Sequence, residues 1–371
     1  MAQNLINATD LDFDQIKENL KTFFKRPDSP FKDWDYEGSG LSTLLDVLAH
    51  NTHYNALLAH MNVNESFIDT AQLRSSVISQ AKLLGYLPGS AKCAEAFVNM
   101  QAIAGYTKEQ TSKLVILRGT KFTASTENGT YTFVVRSTAE ASTDTNGTYN
   151  FENLNLIQGT LRSQTFQVDT SIPNQKFTID DDSIDLSTLV VSVADHQNTT
   201  AVETYTQFGI VPESSLGKID NTSNVYFISQ NTQGKYEISF GDGVIGKKLS
   251  SLNVVQVNYI STLGADVTGS VDTIKFAYAD STLKDSANNS ITSFYLTNIS
   301  FSNGYDAESL DSIRFNAPNS LISQNRAVTA NDYVSVIQKA FPNLIQAINV
   351  WGGESEAAVD PQNAARYAGQ V

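Results

Sequence analysis

The sequence predicts an α+β multidomain protein. It reads as an N-terminal helical bundle segment, a central mainly antiparallel β domain, and a C-terminal α/β segment that is incomplete. Three observations carry this. Before residue 90, apolar residues recur at spacings of three and four. From about residue 91 the spacing becomes two, with polar turn pairs between the runs. Near residue 306 the helical spacing returns. The expected divisions are therefore 1–90, 91–305 and 306–371, and 371 residues suffice for two or three domains with real cores.

In the first region Phe13, Ile16, Leu20 and Phe23 share one helical face. Thr9 and Asp12 are the candidates to cap its start. Lys25-Arg26-Pro27 ends it, because cations suit the C-terminal end of the dipole and proline cannot continue the helix. A second helix starts after Gly40, with Ser39 as its N-cap. Its broad apolar stripe is Leu41, Leu44, Leu45, Leu48, Leu57, Leu58 and Met61. A third is predicted from about Glu65 to Leu84, carrying Phe67, Ile68, Ala71, Val77, Ile78, Ala81 and Leu84. Gly85 follows where a left-handed C-cap residue is required, with Pro88 three residues beyond.

In the second region Ala94, Ala96, Val98, Met100 and Ala102 alternate with other residues, as do Tyr131, Phe133, Val135 and Tyr236, Ile238, Phe240. Asn128-Gly129, Asn146-Gly147 and Asp242-Gly243 are turn signals between strands. Many short strands of this kind indicate a sandwich or barrel-like domain. In the third region a helix is predicted over Ala307–Ile322, with Pro318 as a break or kink. Thr329 to Asp332 is a capping box for a helix through Ala340, ended before Pro342. A strand over Leu344–Trp351 stops at Gly352-Gly353, and 354–371 shows no pattern. The chain thus stops where another strand is expected to begin, and further sequence is expected to follow in the intact protein.

Composition excludes several classes. No run of eighteen apolar residues offers a membrane span, and the first residues lack the basic start and apolar core of a secretory signal. Net charge is −14 and no basic cluster exceeds Lys247-Lys248, so nucleic-acid binding is not expected. Cys93 is the one cysteine, which rules out an intrachain disulfide and reads as a small buried apolar side chain. Asn-x-Ser/Thr triplets are accidents of a polar, weakly charged composition.

Chemical motifs reduce to structural readings. Gly241-Asp242-Gly243-Val244-Ile245-Gly246 matches GxGxxG, but strand-like residues 254–260 follow it where a dinucleotide site needs a helix. A hairpin turn is the better reading. Asp46, His50 and His53 share a helical face, yet no fourth ligand and no HExxH accompany them, so a polar face bonded to neighbours is expected. Asp180-Asp181-Asp182 with Asp185 lacks the glycine and distant glutamate of a calcium loop and reads as a solvated turn. No GxSxG elbow occurs and no carboxylate pair stands out. The chain is not expected to be an enzyme, and no cofactor or metal is implied.

Particular stretches carry a resemblance. They are residues 35–54 (DYEGSGLSTLLDVLAHNTHY), residues 64–77 (NESFIDTAQLRSSV) with 84–88 (LGYLP), residues 240–246 (FGDGVIG), and residues 326–333 (RAVTANDY) with Phe341-Pro342. The first two resemble the N-terminal helical region of baseplate wedge proteins of contractile-tailed phages. The last two are similar to the wider baseplate J-like family. The resemblance implies a structural subunit of the virion tail baseplate, assembled in the host cytoplasm. It implies a homodimer whose N-terminal helices pack with other baseplate wedge subunits around the hub. It also implies a sheath initiator docked nearby, C-terminal contacts to neighbouring wedges, and a relay from baseplate opening to sheath contraction. No membrane or nucleic-acid partner is implied.

The residues agree with such a role. Residues 10–84 hold more helical apolar surface than a three-helix unit of that size easily hides, and such surface marks a protein interface. Phe13, Ile16, Leu20, Phe23, Leu41, Leu44, Leu48, Leu57 and Leu58 are expected to contribute to inter-chain packing. The alternative is a self-contained core. Two other functions stand beside this one. A receptor- or glycan-binding tail protein predicts trimers with exposed aromatics on one β face, and a cell-wall hydrolase predicts a polar cleft holding paired carboxylates.

Overall fold

The computed structural model describes residues 12–27, 30, 39–104, 112–126, 129–144, 147–196, 202–208, 219–280, 282–323, 326–340 and 348–351. Thr9, residues 35–38, Phe341-Pro342 and residues 354–371 lie outside them. The chain divides into two compact units, residues 1–80 and 81–371.

The first unit is helical. α1 is Phe13–Phe24, with Asp14 in its first turn and Lys21 in its last, each at the dipole end that favours its charge. α2 is Gly40–Glu65. Asp12 and Ser39 occupy the two N-cap positions, but neither side chain bonds a backbone N–H. The third helix differs from the expectation. α2 runs through Glu65 without a break, residues 66–73 form a turn, and α3 is only Arg74–Leu83. The turn is held by Glu65, whose carboxylate accepts the Gln72 N–H at 2.8 Å and the Leu73 N–H at 3.2 Å. That places a negative charge at the start of α3, where free N–H groups need an acceptor. Phe67, Ile68 and Ala71 thus belong to a turn stabilised by a carboxylate that spacing alone does not reveal.

α3 ends as its sequence requires. The Tyr86 N–H bonds the Ala81 carbonyl and the Gly85 N–H bonds the Lys82 carbonyl, which is the Schellman pattern. Gly85 has φ +71°, and a Cβ there would meet nothing within 4 Å. The cost of a side chain is therefore conformational alone. Gly85→Ala is expected to lower unfolding free energy by about 1 kcal/mol, measured as a shifted urea midpoint. A loss above twice that would show a steric role instead.

The second unit is built on two sheets. Six strands lie in the order Lys275–Tyr278, Lys121–Thr126, Gly129–Val135, Thr148–Gln158, Glu95–Ile103, Ser293–Ser302, all pairings antiparallel. Seven lie in the order Thr160–Gln167, Val254–Ser261, Ile184–Ala194, Val202–Gln207, Val225–Gln230, Tyr236–Phe240, Phe177–Thr178. Only Val202–Gln207 with Val225–Gln230 is parallel. The period-two pattern decides what is buried. Ala96, Val98, Met100 and Ala102 point into the first core with Phe122, Phe133, Tyr149 and Leu156, where Phe133 meets Phe276 edge-on at 5.1 Å. Ile238, Val257, Tyr259 and Phe177 fill the second. Cys93 is buried with Val134, Ile157 and Ile260 in a third, smaller cluster, where burial first and then the nearby Asp185 push its thiol pKa well up.

The glycine motif is a turn between strands. The Gly246 N–H bonds the Asp220 carbonyl at 2.9 Å, and the Asp242 carboxylate accepts the Val244 N–H at 2.8 Å. A Cβ on Gly241 would lie 2.4 Å from the Gly246 backbone, so the two glycines permit a close chain approach. The acidic cluster differs in part from the expected solvated turn. Asp180 pairs with Lys235 at the surface. Asp185 is buried and accepts the N–H groups of Cys93 and Ser187, both at 2.9 Å.

Helices close the unit. α4 is Leu310–Ser323 and continues through Pro318. α5 is Ala330–Ala340, opened by a reciprocal box in which the Thr329 hydroxyl accepts the Asp332 N–H at 3.3 Å and the Asp332 carboxylate accepts the Thr329 N–H at 2.8 Å. The strand expected to reach Trp351 is not seen over 348–351, and 344–347 lie outside the described residues. A β-favouring run becomes a strand only when a neighbour supplies its hydrogen bonds.

Candidate assembly interface

α1 packs on α2. Lys17 Nζ lies 2.6 Å from Asp46 Oδ1, and the Phe13 ring meets His50 edge-on at 6.3 Å. The three residues expected to share a polar face are thereby partly accounted for: Asp46 takes a lysine and His50 packs between Phe13 and Tyr54. Among the described residues no group of three or more His, Cys, Asp or Glu is placed to hold a metal ion.

α2 is apolar on opposite faces. Successive residues turn by about 100°, which puts Leu45 and Ala49 on one side and Leu44, Val47, Leu48, Tyr54, Leu58 and Met61 around the other. The first pair is buried, at 1% and 0% exposure, whereas Leu44 and Val47 are 59% and 60% exposed. Apolar helix faces are normally covered, so one of the two apolar faces of α2 lacks a cover within the described chain. Phe23 and Leu57 are exposed as well.

The nine expected interface residues therefore separate. Phe23, Leu44, Leu48, Leu57 and Leu58 are exposed; Phe13, Leu20 and Leu41 are half-buried; Ile16 is buried. Ile16 is a side chain of this unit's own core. Sequence reasoning missed Val47 and Tyr54, which spacing of seven and four carries to Leu58 on the same face.

A polar cleft of about 500 Å³ is lined by Asp180, Asp181, Asp182, Arg162, Lys235 and Tyr259. Asp180 is occupied by Lys235, and Asp181 accepts the Ser183 N–H at 2.9 Å. Both carboxylates thus hold local structure. Among the described residues no helix is long and apolar enough to cross a membrane.

Known proteins match the chain in the same order. Residues 12–86 match the family described as baseplate wedge protein gp6-like, helical domain, and residues 96–159 match baseplate wedge protein gp6, domain II. The chain is similar to baseplate wedge protein gp6 of Enterobacteria phage T4, with 31% identity over 373 residues covering 91% of this chain. It spans about half of that relative, 51% of its length. A solved chain from the cryo-EM structure of the anti-feeding prophage (AFP) baseplate, 6-fold symmetrised, is matched over 89% of this chain and 56% of its own length. The identity is 12% and the TM-score 0.27.

Proposed function

We propose that this chain is a structural component of a phage tail baseplate wedge, a reading supported by the match of residues 12–86 to the gp6-like helical domain and of residues 96–159 to gp6 domain II. Its place is the tail baseplate of the virion. The uncovered apolar face of α2 carries the reading. Buried apolar area is the main driving force of association, and a soluble chain does not keep so many large apolar side chains on one helix without a partner. Here the helical region, 1–90, packs with a second copy and with other wedge subunits. The segment from 306 serves neighbouring wedges, and the assembled ring relays baseplate opening to sheath contraction. The role is structural and uses no enzyme chemistry.

The test is a solution mass. The chain is 40.5 kDa, and co-expression with the neighbouring tail gene products is expected to yield a complex holding two copies and at least one other subunit. Monomers alone and in the mixture would overturn the reading. A trimer without other subunits would favour a receptor- or glycan-binding tail protein.

A further inference from the structure

Arg118 is an unusual cation in this acidic chain. Its backbone N–H bonds the Thr138 hydroxyl at 3.2 Å, and its Nη2 donates to the Thr188 carbonyl at 2.5 Å. Its buried Nε–H finds no acceptor, and no carboxylate pairs with it among the described residues. The neighbouring Arg136 is already spent: its Nη1 lies 2.9 Å from Glu95 Oε1, which also accepts Asn155 Nδ2 at 2.6 Å. Desolvation first, and Arg136 second, push the Arg118 pKa below the ordinary guanidinium value. A guanidinium that is partly dehydrated, beside a like charge and short of acceptors, destabilises the isolated chain. It becomes favourable when a carboxylate reaches it.

The surroundings suit a protein partner. Leu117, next in the chain, is 64% exposed, and Leu161 is 40% exposed. Leu161 sits directly on Gly119, where a Cβ would come within 2.6 Å of its Cδ2. Two exposed leucines therefore lie next to Arg118, one its neighbour in the chain and one packed on Gly119, the residue after it. The Thr188 contact also ties the site to the part of Ile184–Ala194 where the pairing with Val254–Ser261 slips register, and such irregularities are common where a strand presents a functional side chain.

We propose that Arg118, with Leu117 and Leu161 beside it, docks an acidic segment of a different protein, an Asp or Glu carboxylate meeting the guanidinium and apolar side chains meeting the two leucines. A second copy of this chain is the competing occupant, distinguished by a dimer that depends on Arg118. The site lies in the second unit, so it is separate from the helical face that carries the assembly reading.

The probe is a capped, fluorescently labelled peptide bearing two Glu and two Leu, with the same peptide carrying Gln for Glu, read by anisotropy on the full chain. The Glu peptide is expected to bind saturably, and the Gln peptide and the Arg118→Met variant to weaken binding at least tenfold. Arg118→Met keeps the apolar stem, and its melting temperature is expected to hold or rise because an unpaired charge is removed. Leu44→Ala with Leu48→Ala should leave peptide binding unchanged, which separates failure here from failure of the wedge reading. No saturable binding, equal binding of the Gln peptide, displacement by equimolar sodium acetate, or a lower melting temperature for Arg118→Met overturns the proposal. So does a concentration-dependent dimer that Arg118→Glu dissolves.

Discussion

Replacing Leu44 and Leu48 together by alanine is expected to abolish co-purification with the proposed partner subunits and to leave the 81–371 unit folded. Both side chains are more than half exposed in the single chain, so their removal leaves little cavity and costs the chain itself little. In a complex each would be covered. Two leucines truncated at a buried interface forfeit about 3–4 kcal/mol, roughly 10²–10³ in dissociation constant. The contrast is Leu45, one residue along the same helix and 1% exposed. Leu45→Ala should lower the stability of the chain by about 2–5 kcal/mol before any partner is added. Circular dichroism melting and pull-down on the three proteins separate the effects. A double variant that still co-purifies in full sinks the interface.

Glu308→Ala is the most damaging single change expected in the second unit. Glu308 is fully buried. Its carboxylate accepts the Tyr86 hydroxyl at 2.9 Å, the Gly89 N–H at 2.9 Å, the Ser312 hydroxyl at 2.8 Å and the Asn316 amide at 2.8 Å. Burial first, and then the adjacent carboxylate, push the Tyr86 hydroxyl pKa well up, so it stays a donor. Alanine leaves the buried Tyr86 hydroxyl without this acceptor and removes one bond each from the Gly89 N–H, the Ser312 hydroxyl and the Asn316 amide, the last of which keeps its bond to Ser312. Each unmet donor costs about 1–3 kcal/mol, and with partial relaxation the total is about 3–5 kcal/mol. Glu308→Gln should cost roughly half, because its amide oxygen still accepts two of the bonds. Hydrogen exchange is expected to rise together at residues 86–89 and in α4, because one carboxylate holds both. Exchange rising in only one of them would show that Glu308 does not join the two segments.

Local rules reached far into this protein. Spacing of three and four marked α1 and the start of α2, alternation marked Ala96 to Ala102 as a core strand, and Gly85 and Thr329 with Asp332 marked helix ends. These features depend on backbone geometry and on residues a few positions apart, so they are written in adjacent letters. The family words lie there too, in the helical stretch before residue 90. The α3 boundary was not legible, because Glu65 acts on N–H groups seven and eight residues away. Of the break or kink expected at Pro318, the break does not occur: packing on one face of α4 outweighs one missing hydrogen bond.

Which apolar residues form the interface is a different kind of question. Leu44 and Leu45 are the same side chain at adjacent positions, and no local rule separates them. α2 is apolar on two opposite faces, so its covered face is chosen by the surfaces that happen to lie against it. The same holds for Asp185, drawn into the core by Cys93, and for Glu308, met by a tyrosine 222 residues earlier. Sequence by itself determined most of the elements, the fold class and the apolar surplus of the helical region. Tertiary structure alone decided which of those side chains remain uncovered, because burial depends on residues distant in the chain.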